Sequence, residues 1–203
     1  MNARRKGLSL LEVIIASTIL VGVLGIAYLL LHSSSSEYTN QSTHLKLDDR
    51  ARDLLADLVR ELQNAKNPPV QASPLAPGDP GYDAAAPKYT ELTFSTISRF
   101  DYASRAPFYG NQIRYRWLLE NGETANGKDD NRNGFIDEGV IEKTETFEGK
   151  PAVTTIVCRD ATFKGLRFQP LNRTVAVTIE LQGRDWRNTL VSRKAETTAE
   201  LRN

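Results

Sequence analysis

The sequence predicts an α+β protein: one long N-terminal helix whose first half spans a membrane, and an antiparallel β-sheet that covers its second half. Three observations lead there. Residues 8–31 are an apolar stretch with a single charge, Glu12. Residues 41–66 carry apolar side chains three or four apart, as on one helix face. Beyond Tyr89 the chain breaks into short runs rich in Thr, Val, Ile, Tyr and Phe, separated by turn residues, as in strands.

The first element is residues 8–31. These 24 residues as a helix reach roughly 36 Å, enough to cross a bilayer core. Arg4, Arg5 and Lys6 flank the stretch on its N-terminal side, which places the N-terminus in the cytoplasm and the rest outside. A cleaved secretory signal would be shorter and end in small residues; this stretch ends Leu29-Leu30-Leu31-His32. A plain membrane anchor accounts for the length and the flank but not for Glu12. An ionised group in hydrocarbon costs about 2.5–3.5 kcal/mol on insertion scales, so a partner for that carboxylate is expected.

Lys6-Gly7-Leu8-Ser9-Leu10-Leu11-Glu12-Val13 resembles the class III signal of type IV pilins and type II secretion pseudopilins. The resemblance implies a leader of residues 1–7, cut between Gly7 and Leu8 by a prepilin peptidase that also methylates the new amine of Leu8. Glu12 then matches the glutamate at the fifth mature position, and Leu8 departs from the usual Phe. It further implies a processed subunit of a pseudopilus or type IV pilus. Its partners would be the prepilin peptidase, other minor and major subunits, and an inner-membrane assembly platform. Physically, Glu12 of one subunit can neutralise the Leu8 amine of a neighbour. Desolvation cancels part of that gain, so the pair sets register more than it adds stability.

The second element is the amphipathic upper half of the helix, residues 32–66. Ser33 to Ser36 are mediocre helix formers and are read as a weak point within one helix, with a loop as the alternative. Leu47, Ala51, Leu54, Leu58, Leu62 and Ala65 mark the apolar stripe, widened by Leu55 and Val59. Asp48, Arg52, Asp57, Arg60 and Glu61 occupy the other face. Asn67-Pro68-Pro69 stops the helix, because proline disfavours helical geometry in the residue before it. Residues 67–89 hold six of the nine prolines and read as an irregular, variable connection, either a passive linker or a contact surface.

The third element is the sheet domain, residues 90–203. Strands are predicted over 89–98, 112–120, 140–147, 152–158, 162–169 and 174–181, with turns at Asn121-Gly122, Leu171-Asn172 and Gly183-Arg184. Short connections make the sheet antiparallel, and the stripe of residues 41–66 is the available cover for its apolar face. The order of these segments, with Ile113 to Leu118, Leu166 to Phe168 and Val175 to Leu181, resembles J-type minor pseudopilins and related minor pilins. That resemblance implies a position at the filament tip and a part in starting assembly.

Within the sheet domain lies an acidic loop, residues 126–139. Asp129 to Gly139 resembles the calcium loop of EF-hand and dockerin modules, in which oxygen ligands alternate and a glycine permits the turn at the sixth position. By that resemblance Asp129, Asn131 and Asn133 ligate through side chains, Phe135 through its carbonyl, and Asp137 directly or through water. Gly134 makes the turn, and Ile136 ties the loop to the core. The twelfth position, normally a bidentate acid, is Val140, so Glu138 or Glu142 would replace it. The alternative is a polar hairpin built on Asn126-Gly127 and Asn133-Gly134. A bound Ca2+ would be structural.

The remaining composition excludes other classes. The net charge is +1 from 26 basic and 25 acidic residues. Loss of Arg4, Arg5 and Lys6 leaves 23 against 25, or −2. That is not the basic balance of a nucleic-acid binder. Arg99, Arg105, Arg114 and Arg116 are the only basic grouping that suggests DNA, and they read as strand-surface charges. A tip-located module binding a surface, a secreted substrate or DNA is the competing function. Cys158 is the only cysteine and reads as a small buried hydrophobe. His32 and His44 have no neighbours that make catalytic sense, and there is no phosphate loop or cysteine cluster. No enzymatic activity is expected.

Overall fold

A computed structural model describes residues 10–65, 69–147, 149–185 and 187–201. One helix, α1 (Leu10–Gln63), is followed by seven strands: β1 (Val70–Pro74), β2 (Tyr89–Asp101), β3 (Ala106–Leu119), β4 (Gly139–Thr146), β5 (Val153–Leu171), β6 (Thr174–Arg184) and β7 (Leu190–Glu200). The chain divides into two compact units, Met1–Ser42 and Thr43–Asn203.

In the first unit every described side chain from Leu10 to Leu31 is exposed, whichever way it points from the helix. A helix that is apolar on all sides requires apolar surroundings, and this one is long and apolar enough to cross a membrane. It is consistent with a single membrane span or a signal sequence. Its few hydroxyls turn back on the helix: Ser17 and Thr18 both donate to the Ile14 carbonyl, at 2.9 and 2.8 Å. No polar group of those two residues then asks for water, as a lipid environment demands. Tyr28 and His32 stack at the end of the apolar stretch, ring centroids 6.1 Å apart. The four serines remain helical, so they do not form a loop.

In the second unit the predicted stripe is the buried one. Leu47, Ala51, Leu54, Leu55, Leu58 and Leu62 share one core with Leu92, Phe94, Ile113, Tyr115, Ile141, Leu166, Phe168, Val175, Val177, Ile179 and Leu181 of the sheet. The architecture is therefore α+β, with the second half of α1 laid on one face of an antiparallel sheet. Asn64 closes the helix, its amide donating to the Arg60 carbonyl. Ala65 then bridges to Thr96 of β2. The Asn67-Pro68 stop signal lies outside the described residues.

The sheet is a meander, β1 to β7 in sequence order, with every pair antiparallel. One further pairing, Tyr89 with Phe168, joins β2 to β5. Four features differ from the sequence reading. Part of the 67–89 connection is a strand, β1, on an edge where Pro74 removes no needed ladder bond. The predicted 152–158 and 162–169 strands are one strand, β5, bent where its register shifts between Ala161 and Leu166. There Asp160 and Lys164 adopt positive φ. The Gly183-Arg184 pair continues β6, and the turn falls after it. Residues 190–200 form a full edge strand paired with β6 from Leu190 to Glu200.

The rest of the proline-rich segment is bonded to the sheet. Asp79 meets Lys164 at 2.6 Å and receives the Ala76 N–H. Arg167, buried between Leu166 and Phe168 but on the opposite face of β5, donates to the Pro80 carbonyl and to Glu180. Burial pushes the Asp79 carboxyl up, but the hydrogen bonds from Lys164 and Ala76 outweigh it and hold the group below the ordinary aspartate value.

Candidate functional site

The loop between β3 and β4, residues 120–138, holds a network of side-chain to backbone and side-chain to side-chain hydrogen bonds. Its base is closed by backbone bonds from Glu120 N–H to the Glu138 carbonyl and from Glu123 N–H to the Glu120 carbonyl. Inside, the Asp129 carboxylate accepts the N–H groups of Asn133 and Gly134, at 3.1 and 2.8 Å. Asn131 Oδ1 accepts from Asn133 N–H, and Asn133 Oδ1 from Phe135 N–H. Gly134 sits at φ 97°, and a Cβ there would lie 2.7 Å from Arg184 Nε. The turn glycine is therefore required for conformation, while a side chain there would also have to displace the Arg184 guanidinium.

The expected ligands do not all face one point. Asp129, Asn131 and Asn133 line the inner curve. Asp137 turns away, its two oxygens taking the N–H groups of Asn126 and Gly127. Asp130 is bound to Thr124 and Asn126. Ile136 is exposed and does not plug the loop into the core. Phe135 is the half-buried residue instead, beneath the Arg184 guanidinium at 5.7 Å. The chain bends at both Asn126-Gly127 and Asn133-Gly134, as the hairpin alternative requires, each bend closed by the asparagine Oδ1 accepting the N–H two residues on.

Glu138 is the residue the inner curve converges on. It is fully buried, and its Oε1 accepts from the amide groups of both Asn131 and Asn133. Its Oε2 is buried with no hydrogen-bond partner. Glu123, 8 % exposed, has the same imbalance: Oε1 accepts Asn131 N–H at 2.9 Å, and Oε2 is buried without a partner. Two buried carboxylates thus meet the same asparagine, one at its backbone and one at its side chain. Glu123 was not legible as a site residue, since it precedes the acidic run and follows an ordinary Asn-Gly turn. Among the described residues no group of three or more His, Cys, Asp or Glu side chains has metal-holding geometry; this site is two carboxylates and two amides.

A second polar centre ties α1 to the sheet. Glu61 accepts from Tyr115 Oη at 2.9 Å and from Lys143 Nζ at 2.5 Å, and Lys143 also pairs with Glu145. Burial raises the Tyr115 pKa, and the Glu61 charge raises it further. Beside this centre a cleft of about 790 Å3 is lined by Arg50, Asp57, Arg60, Glu61, Cys158 and Asp160, among others. Burial, helped by Asp160, pushes the Cys158 thiol up to about 11, so it is protonated and poorly nucleophilic at neutral pH.

The basic grouping is largely neutralised within the sheet. Arg116 pairs with Glu142 at 2.9 Å and Arg114 with Glu91 at 3.9 Å, while Arg99 stacks over Phe108. At the N-terminus, Glu12 lies in the first turn of α1 among exposed apolar side chains. Gly7 and Leu8 lie outside the described residues. No protein-family profile, curated protein or solved structure matches the chain.

Proposed function

We propose that this chain is a minor pilin or pseudopilin subunit, with a structural and assembly-initiating role and no enzymatic one. Prepilin peptidase cuts it between Gly7 and Leu8 and methylates Leu8. Residues 8–31 hold it in the inner membrane, with the N-terminus cytoplasmic and the sheet domain outside. It joins other minor and major subunits on an assembly platform, at or near the tip of a type II secretion pseudopilus or type IV pilus. The observation that carries this reading is the division of one helix: an exposed, all-round apolar half that contains Glu12 runs into a half whose single apolar stripe is buried by an antiparallel sheet. A secretory signal leaves no such helix on the mature protein, and a plain anchor has no use for the acid.

Mass spectrometry of protein extracted from membranes of cells with a prepilin peptidase is the direct test. Loss of residues 1–7 with one added methyl group is expected; retention of Met1 through Gly7 in functional protein overturns the reading. A Glu12→Leu variant should still insert in the membrane but fail to enter filaments. Normal co-assembly would remove the role assigned to Glu12.

A second reading, a tip-located binding module, is favoured by the β2–β3 hairpin. Phe100 and Tyr102 pack edge to face at its end, with Tyr102 85 % exposed, and Arg105 stands beside them. A salt-dependent mobility shift with DNA supports that reading for a nucleic-acid ligand. Stable complexes with minor subunits and no shift support the first.

A further inference from the structure

We infer that the first half of β5, residues 153–158, is a docking edge that takes one extended segment of a different protein as an added strand. Residues 153–158 pair with β4 on one side, where the Thr154 and Thr144 hydroxyls also meet at 3.0 Å. On the other side, among the described residues, no strand pairs with them: β6 joins β5 at Ala161 and from Leu166 onward, and β2 joins it at Phe168. In an antiparallel ladder alternate residues turn their N–H and C=O groups away from the partner strand. Along this edge those groups form an open row whose natural complement is another extended backbone.

The composition of this edge sets it apart. Val153-Thr154-Thr155-Ile156-Val157-Cys158 has no charge, proline or glycine, and five of its six residues are β-branched. Val153, Ile156 and Val157 are exposed. The two outermost strands of the sheet are protected instead: β1 is five residues long and ends at Pro74, and β7 carries Arg193, Lys194 and Glu196. A bare run of this kind is an association hazard, which a partner strand removes by covering it. The cleft of about 790 Å3 lies along the same edge, lined by residues 155–160 and by α1, with four acidic and four basic residues among them. It receives the side chains on one face of the incoming strand, and its charges favour polar ones there. In such docking the main-chain bonds supply affinity and the alternate side chains supply specificity.

The chain's own long connections do not supply the strand. The 75–88 segment is tied to Lys164 and Arg167, and the 120–138 loop is bonded within itself. A second copy is the wrong occupant as well. Two identical antiparallel edges are related by a two-fold axis perpendicular to the sheet, which runs the two helices in opposite directions. Chains anchored in one membrane by residues 8–31 share a direction, and this exclusion alone rests on the membrane reading.

The test uses the full-length protein in detergent and a fluorescent synthetic peptide with the sequence of β4, residues 139–146, which already matches residues 153–158 in antiparallel register. Fluorescence anisotropy should show saturable binding of one peptide per chain, and deuterium exchange should slow at the amides of 153–158. The same peptide N-methylated at alternate residues, which lacks those ladder donors, should bind at least about tenfold more weakly. Ile156→Lys should weaken binding to a similar degree with the melting temperature unchanged, because the side chain is exposed and a lysine on an edge opposes strand addition. Val157→Lys is the second variant of the same kind, and Leu190→Lys on β7 should leave binding as it was. Absence of saturable binding, or equal binding of the N-methylated peptide, would overturn the docking edge. So would self-association of the wild-type protein that Ile156→Lys abolishes, since the occupant would then be a second copy. None of these outcomes bears on cleavage at Gly7 or on Glu12, so failure here and failure of the filament reading remain distinct.

Discussion

The two halves of α1 are continuous in sequence and opposite in what they require. Leu10 to Leu31 presents apolar groups all round, and all are exposed. From Thr43 to Gln63 the apolar groups fall on one stripe, and the sheet buries them. Each half also holds a glutamate. Glu61 shares its carboxylate between Tyr115 and Lys143, partners supplied by strands far along the chain. Glu12 stands among aliphatic side chains in the first turn. The contrast teaches that a stripe can be satisfied by the chain's own fold. A helix apolar on every side needs an environment the fold does not provide, and a bilayer or a bundle of like helices provides it.

The largest effect expected from this contrast comes from matched leucine substitutions. Leu58 is completely buried against the sheet, so Leu58→Ala should cost the domain about 2–5 kcal/mol. Leu20→Ala, in the exposed half, should leave the melting temperature of the sheet domain unchanged. Thermal melts of both variants in detergent check the pair, and an equal loss in the two would erase the distinction.

A smaller effect is expected at the link between α1 and the sheet. Lys143→Met removes one of the two donors to Glu61 and should cost about 1–3 kcal/mol, in the range for hydrogen bonds to charged groups. Denaturant unfolding measures it. Tyr115→Phe should cost less, because Glu61 retains Lys143, and the two losses should couple when combined.

The smallest effect concerns pH. The Asp79 carboxyl is held below its ordinary value in the folded protein. Its contribution is therefore present above the unfolded-state pKa near 3.8 and is lost as pH falls through the lower folded value. Below that range the link from Asp79 to Lys164 loosens, and proteolysis within residues 75–88 should quicken. Asp79→Asn should give the same sensitivity at neutral pH, at a cost on the order of 1 kcal/mol or less.

The sequence was most legible where one residue's environment follows from its own neighbours. Leu47, Ala51, Leu54, Leu58, Leu62 and Ala65 of the predicted helical stripe are all buried, with Val59 at its margin partly so, because a period of 3.6 is a local property of the chain. The β6 alternation Val175, Val177, Ile179 and Leu181 is equally local, and all four are buried. Legibility failed at the sheet edges. Along β7 the side chains on the helix side are Val191, Arg193, Ala195, Thr197 and Ala199, too mixed to alternate visibly. The strand is held by its ladder to β6 and by an ion pair from Arg193 to Asp48 of α1. Charged edge strands protect against unwanted pairing, and the same charges hide them from a hydrophobic pattern. β5 reads as two strands in the sequence because its bend at residues 160–164 breaks the period without ending the strand.

The acidic loop divides along the same line. Its glycine turn and its alternating Asp129, Asn131 and Asn133 are written in consecutive residues and were visible as a pattern. The bonding of Asp137 to Asn126 and Gly127, the exposure of Ile136 and the meeting of Glu123 and Glu138 at Asn131 depend on how the ends of β3 and β4 bring residues 120–123 against 131–138. By itself, then, the sequence determined the all-round apolar segment with its glutamate, the buried stripe and the fold class, since these follow from periodicity along one backbone. Tertiary structure alone decided the edge pairings, the anchoring of the proline-rich segment through Lys164 and Arg167, and which buried carboxylates bond to Asn131. The physical reason is that burial and charge compensation belong to pairs of residues brought together across the fold, and no single stretch of chain specifies both members.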